Sequence, residues 1–398
     1  MMLALNEKQK NIVVLLIALI GIFLREPLYF MQPRIWAEEG SVHIQAVLDH
    51  GLIASIFSPH LGYFSLANNI ITSVGFKLFG LEGIAYFTTF ASLIFMLLCI
   101  SAPLYLKSKF WDDDFKRISL VFFALFLSYQ EIWLNTVNLQ FYFCLFGCLL
   151  FLSDIDQIDG AKFIAVSVLL LFCSMTGVTT VVLAPFYIYK CWKAGWNRKH
   201  LSILFILLAG LLIQLLSLIY LSMGDQVARF SLENLANYPI GLLRTFAGIF
   251  TEVPLGLRYI LLGYLIYILR KDLFVVRELN FPVLMAVYLV LVFTFVSLKM
   301  SGGERYGYAP CVLIFLFMLN LYKTNSQGRA FRYLYFFIFV GAIVKFFVVT
   351  DDGYNHNWIP YSANKTFVDD NGASYIRVFP QGGNADWRIV LHDNAAHR

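Results

Sequence analysis

The sequence predicts an all-α, polytopic membrane protein of about eleven transmembrane helices, with amphipathic surface helices on one external loop and a small external β-hairpin tail. Three observations predict it. The 398-residue chain is 59% hydrophobic and 14% charged, against about 45–50% and about 25% in soluble domains. The apolar surplus is spread along the chain in repeated runs instead of one core-sized block. Lys and Arg gather in short segments between alternate runs, as they do in cytoplasmic loops.

Taken in order, apolar helices are predicted at 11–31, 82–106, 117–133, 138–153, 163–176, 178–192, 201–222, 255–270, 281–298, 305–322 and 331–349. Several fall below the roughly 17–25 residues of an ordinary span, so charge placement decides the path. Lys8 and Lys10 precede the first run. The basic loops hold Lys107, Lys109, Lys116 and Arg117; Lys190, Lys193, Arg198 and Lys199; Arg270, Lys271 and Arg277; and Lys323, Arg329 and Arg332. If all are cytoplasmic, 163–192 crosses twice, as two short helices meeting at Met175-Thr176-Gly177. The same rule keeps 63–80 from spanning. Residues 32–81 then form one external loop whose helices lie on the membrane surface. Tyr63, Phe64, Leu66, Ile70, Ile71 and Val74 supply an apolar face there, and Asn68, Asn69 and Lys77 the polar contrast.

This path puts the N-terminus inside, and 32–81, 131–138, 223–254, 299–305 and 351–398 outside. It divides the chain into a transmembrane domain, 1–350, and a small tail, 351–398. In the tail, alternating runs at 375–379 and 387–391 flank Gly382-Gly383-Asn384, a hairpin signal. The first apolar run continues into Arg25, Glu26 and Pro27 without a small-x-small site, unlike a cleaved signal peptide. All six cysteines lie in or beside apolar segments and none forms a CxxC pair, so neither a disulfide nor a metal knot is expected. The net charge of +5 is unremarkable, since in a membrane protein the placement of Lys and Arg matters more than their sum. The bilayer is the expected partner, and no nucleic acid is.

The external segments hold most of the uncommon polar residues. Arg34-Ile35-Trp36-Ala37-Glu38-Glu39-Gly40 places two adjacent carboxylates at the membrane boundary, where an ionisable group is a functional candidate. The plainer alternative is acids in the first turn of a surface helix. His60 and Tyr63 lie in Ser58-Pro59-His60-Leu61-Gly62-Tyr63, otherwise a simple turn. Glu131, Asn135 and Asn138 lie between two apolar helices, facing a cavity or external water instead of lipid. In the 302–308 segment, Arg305 offers a fixed fork suited to phosphate beside Tyr306; snorkelling and interfacial anchoring are the ordinary explanation. Arg25, with Glu26, is a further charge at the outer edge of the first span. No HExxH, P-loop or Rossmann fingerprint occurs, and the cytoplasmic loops are too short for a nucleotide-sugar domain. No cofactor is expected. One carboxylate pair is a thin ligand set for a divalent ion, so no metal is expected either.

These features together resemble the GT-C glycosyltransferases, which have an acidic pair after the first span and a large external loop with surface helices. The stretch Gly62 to Ala85, above all Phe76-Lys77-Leu78-Phe79-Gly80-Leu81-Glu82, is similar to the surface helix and turn of lipid A aminoarabinose transferases and protein O-mannosyltransferases. A closer resemblance is to multi-spanning bacterial O-antigen or serotype-type glucosyltransferases. It rests on Ile35 to Gly40, Glu131 to Gln140, Met175-Thr176-Gly177, Glu304-Arg305-Tyr306, and the closing Val378-Phe379-Pro380 and Trp387. Glu38-Glu39 stands where those relatives often have Glu-Asp, and the 223–254 loop does not align, which leaves the acceptor open.

The resemblance implies a GT-C-like bundle in a bacterial inner membrane with its site facing the periplasm. It implies a polyprenyl-phosphate sugar as donor, with undecaprenyl-phosphate glucose the leading candidate, and a hydroxyl of an envelope glycan such as O-antigen as acceptor. Glu38 or Glu39 would be the base, with Glu38 at the usual position. Arg305 would meet the phosphate, with Arg25 in reserve. Trp36, His60, Tyr63, Glu131, Asn135, Asn138 and Tyr306 would contact substrate. Transfer would invert the anomeric centre without a metal, and a flippase and a donor-synthesising glycosyltransferase would share the pathway. The other classes compatible with the sequence are a flippase for a lipid-linked glycan, an envelope polysaccharide polymerase, and a His60-centred acyltransferase.

Overall fold

A computed structural model of the chain describes residues 6–60, 62–127, 130–221, 238–247, 263, 266–267, 280–296, 304–321, 328–347, 366–369, 372–378 and 387–391. Helices dominate, with one small three-stranded sheet among the described residues. Helix α1 (Glu7–Arg25) begins at a reciprocal cap: the Asn6 side chain accepts from the Gln9 amide at 2.9 Å, and the Gln9 side chain accepts from the Asn6 amide at 3.0 Å. The run predicted at 11–31 breaks at Glu26-Pro27, because proline cannot continue a helix, and restarts as α2 (Leu28–Met31).

The segment expected to carry surface helices is helical. A π-turn (Glu39–Ile44) leads into α3 (Gln45–His50) and α4 (Leu52–Phe57), joined at Gly51 with φ 80°. Next comes α5 (Leu66–Ile100), whose helical geometry is interrupted at Gly80 (φ 61°, ψ −166°). The sequence separates 63–80 from 82–106, and the backbone breaks between those two segments: a Cβ added at Gly75 would stand 2.7 Å from Phe87 Cδ1, and the Phe79 and Phe87 rings lie 5.7 Å apart, so the second half turns back against the first instead of continuing it. The second half alone is about 30 Å long, one bilayer core.

The remaining helices are α6 (Ala102–Tyr105), α7 (Asp114–Phe126), α8 (Leu139–Leu152), α9 (Gly160–Ser174), α10 (Ala184–Lys193), α11 (Arg198–Leu221), α12 (Tyr238–Ala247), α13 (Phe281–Val296), α14 (Tyr308–Leu321) and α15 (Gly328–Phe347). Among the described residues two helices are long and apolar enough to cross a membrane, Leu66–Ile100 and Arg198–Tyr220. Others are shorter than predicted: the 14 residues of α8 extend only about 21 Å. Most of the run predicted at 255–270 and most of the 223–254 loop lie outside the described residues.

Helices α8 and α14 form the centre. Every residue of α14 is buried, and in α8 all but Gln140, as expected of helices apolar on all sides. Phe123 of α7 stacks on Phe315 of α14. The outer helices turn large apolar side chains outward: Leu16, Ile20 and Leu24 on α1, Phe90 and Ile94 on α5, and Phe205, Leu216 and Ile219 on α11. Water-soluble monomers rarely expose apolar faces of this extent.

The Tyr187 hydroxyl donates to the Gly147 carbonyl at 2.7 Å and the Lys190 ammonium to the Ser153 carbonyl at 2.6 Å, so α10 runs alongside α8 in the same direction. Helix α9 runs against both. Residues 163–192 are thus two short antiparallel helices, turning at Met175-Thr176-Gly177, where Gly177 has φ 73°. Basic segments meet at one end of the bundle: Lys10 pairs with Asp114 at 2.6 Å, Arg117 with Glu7 at 2.8 Å, Lys199 with Asp159 at 2.6 Å, and the Asp154 amide donates to the Lys107 carbonyl at 2.8 Å. The segments around Glu38, Tyr63, Glu131, Thr176 and Arg305 gather at the opposite end. The tail strands β1 (Thr366–Val368), β2 (Ser374–Arg377) and β3 (Arg388–Leu391) form an antiparallel sheet in that order. It is the predicted hairpin with one unforeseen strand, β1; the predicted 382–384 turn lies outside the described residues.

Candidate functional site

The two neighbouring carboxylates have opposite surroundings. Glu39 is 1% exposed. One of its oxygens accepts from the Trp36 amide at 2.9 Å, the reach-back of an acid in a first helical turn. The other accepts from the Thr136 amide and, at 2.7 Å, from the Thr136 hydroxyl. Burial pushes its pKa upward, while the Thr136 and Trp36 donors and nearby Arg34 pull the other way. Glu39 therefore ties the acidic turn to the 131–138 loop with both oxygens in use. That corrects its candidacy as the base: a carboxylate with three donors and no exposed face has nowhere to receive a proton from a substrate.

Glu38 is half-exposed and makes no hydrogen bond among the described residues. Its charge reaches the Arg305 guanidinium. Burial works against that guanidinium, while Glu131, Tyr306, Glu38 and Tyr63, in that order, favour its charged form, with a net upward shift. Arg305 is ion-paired with Glu131 and lies 5.4 Å from the Tyr306 ring centre. The sequence-predicted residues Glu38, Tyr63, Glu131, Arg305 and Tyr306 are thus brought together from four separate parts of the chain.

The 131–138 loop is cross-braced by its own side chains. The Asn135 and Asn138 side-chain amides both donate to the Glu131 carbonyl, at 2.7 and 2.8 Å, and the Asn138 amides donate to Asn135 Oδ1 at 2.9 and 3.0 Å. These bonds hold Leu134 at φ 48°, a left-handed conformation costly for a branched side chain. Asn135 and Asn138 are 2% and 1% exposed, so their predicted contact with a sugar is replaced by a scaffold role beneath Glu131.

No protein-family model matches the chain, and neither a curated protein nor a solved structure gives a significant match.

Three other predicted residues lie elsewhere. Trp36 is buried, with Arg34 4.7 Å from its ring centre and Trp387 packed against it, which leaves it no face for a sugar. The Arg25 guanidinium lies 4.2 Å from the Trp133 ring centre and 4.9 Å from that of Phe346, an aromatic setting. His60 lies edge-on to His43, ring centres 5.4 Å apart, and its Nε2 has no partner among the described residues.

Sequence reasoning missed Arg34 and His43. Arg34 is 5% exposed, sandwiched by Tyr29 and Trp36, and donates to the Tyr29 hydroxyl. His43 is fixed by neighbours. Asn69 donates through its nitrogen to the Ile56 and Ser58 carbonyls, so its oxygen must accept from His43 Nδ1, at 2.9 Å. His43 Nε2 then accepts from Asn68 at 3.3 Å. Burial, then the nearby His60, lowers the His43 pKa to about 3, which holds the ring neutral. The Asn68-Asn69 pair on the first turn of α5 was the available signal for a buried polar partner.

Proposed function

We propose that this chain is a GT-C-like glycosyltransferase, with most of its helices spanning a bacterial inner membrane and its site facing the periplasm. It moves a sugar from a polyprenyl-phosphate donor to a hydroxyl of an envelope glycan. The observation that carries the reading is the nearness of Glu38, a carboxylate with no hydrogen bond among the described residues, to a phosphate-suited cation, Arg305, itself ion-paired with Glu131, at the end of the bundle opposite the basic segments. The outward apolar faces and the two full-length apolar helices support a membrane setting, and the clustering of Lys and Arg at one end supports the orientation.

In this reaction the acceptor oxygen attacks the anomeric carbon while its proton passes to the Glu38 carboxylate. The bond from that carbon to the phosphate oxygen breaks, and its electron pair leaves with polyprenyl phosphate. Arg305 stabilises the developing charge, its fork held in place by Glu131 until phosphate competes for it. Direct displacement inverts the anomeric centre: among the described residues the carboxylates nearest Glu38, Glu39 and Glu131, are both engaged and not placed as a covalent nucleophile. Tyr63 and Tyr306 both lie close enough to Arg305 to favour its charge and are the residues suited to packing on a sugar ring.

The test is purified protein in nanodiscs with a labelled polyprenyl-phosphate sugar and a glycan acceptor. Label in the acceptor with inverted anomeric configuration supports the reading. Label that crosses the bilayer still attached to its lipid replaces it with a flippase, and transfer only from a nucleotide sugar refutes it.

A further inference from the structure

The tail sheet packs on both sides of Glu38 in the chain. Before it, Trp387 packs against Trp36 and Ala37. After it, Val378 sits directly over Gly40: a Cβ added at Gly40 would stand 2.7 Å from Val378 Cγ1 and 3.1 Å from Ile35 Cγ2. Val378 and Ile389 are buried with Ile35 and Ile44, and with Ile84 and Ala85 of α5. Gln45, which opens α3, pairs with β3 as a strand edge would. Its Oε1 accepts from the Val390 amide at 2.7 Å and its Nε2 donates to the Val390 carbonyl at 3.3 Å. Val378 is itself held by its amide donating to the Trp387 carbonyl at 3.0 Å. Three strands of three or four residues have too little core to stand alone, so the sheet depends on the acidic turn as much as the turn depends on it.

We propose that the C-terminal sheet is a positioning clamp for the acidic turn. Gln45, Val378 and Trp387 act through the backbone of 36–44 to fix where Glu38 presents its carboxylate. This rests on the reading of Glu38 as the base. It explains why position 40 is glycine at a φ any residue can adopt: the constraint is the close approach of Val378, since a side chain there would push the sheet off the turn.

Two measurements on the full-length protein test it, and they fail separately. In membranes, Gln45→Cys and Val390→Cys should be joined by a short bifunctional thiol reagent, the six native cysteines all being buried. Absence of the cross-link overturns the docking whatever the reaction. In the transfer assay, Gly40→Ala should lower kcat at least tenfold with donor KM within about twofold, and adding Val378→Ala, which removes both methyls facing Gly40, should restore most of it. Native kcat in Gly40→Ala, or a loss that Val378→Ala does not relieve, overturns the positioning role. If the unaltered protein transfers no sugar, the functional reading fails, while the docking still stands or falls by the cross-link.

Discussion

Replacing Glu39 by Gln removes one carboxylate oxygen from a place where three donors converge, and the consequence can be worked out bond by bond. The remaining oxygen can still accept from the Thr136 amide and hydroxyl. The new NH2 then faces the Trp36 amide, donor against donor, where an oxygen stood at 2.9 Å. A buried backbone N–H left without a partner costs about 1–3 kcal/mol, and bonds to a charged acceptor are stronger than neutral ones. Glu39→Gln should therefore destabilise the fold by about 2–4 kcal/mol, and Glu39→Ala by more, since all three donors lose their acceptor. Glu38→Gln removes no hydrogen bond among the described residues and should stay within about 0.5 kcal/mol of the native chain. The assay is thermal unfolding of detergent-solubilised protein, followed by loss of the monodisperse peak. A Glu39→Gln protein as stable as the native one, or a Glu38→Gln protein that collapses, refutes the division of labour between the two acids.

Other consequences follow from the same contacts. Arg305→Lys keeps the charge and loses the fork, so donor affinity should fall about tenfold, while Arg305→Ala should reduce kcat/KM by at least about a hundredfold; unchanged kinetics in both would remove Arg305 from the donor site. His43 has a folded pKa near 3 against about 6.5 unfolded. The unfolded chain therefore takes up a proton that the folded one refuses, and stability should drop as pH falls below 6.5, by up to about 1.4 kcal/mol per unit from this residue. Melting profiles between pH 7 and 5 should show that slope, and a folded His43→Gln variant should lose the His43 share of it, leaving what His60 and His200, whose pKa values burial also lowers, contribute. Cysteines at Ala54 and Lys109, both exposed, should react differently with a membrane-impermeant thiol reagent applied to intact cells: 54 labelled, 109 protected. The reverse pattern would invert the orientation.

Much of the fold was legible because it is set by local pattern. Apolar runs located most helices, and the break at Gly80 falls between the two predicted segments, whereas the predicted 11–31 helix ran through Pro27, where the chain breaks. The antiparallel turn at Met175-Thr176-Gly177 followed from charge placement alone, because the alternative put Arg198 on the wrong side. Helix length was less legible, since apolar composition continues past the point where 3-10 turns such as Val181–Leu183 and Glu304–Gly307 take over. At the site, residue types pointed to Glu38, Glu131 and Arg305, but nothing local distinguishes Glu38 from Glu39. The difference comes from Thr136, 97 residues away. Asn135 and Asn138 look like ligand amides in sequence, and only the loop geometry turns them inward onto the Glu131 carbonyl. The docking of the tail on Gln45, 345 residues apart, left no signal beyond the alternation of its strands.

The central claim is that Glu38 is the proton acceptor in glycosyl transfer, and single-turnover transfer by Glu38→Gln tests it most directly. The variant, confirmed folded by its melting profile, is given a saturating labelled polyprenyl-phosphate sugar and a glycan acceptor in nanodiscs. Loss of a general base predicts a fall in rate of roughly 10²–10⁴-fold with donor binding retained. Transfer at the native rate by a folded Glu38→Gln protein would contradict the account.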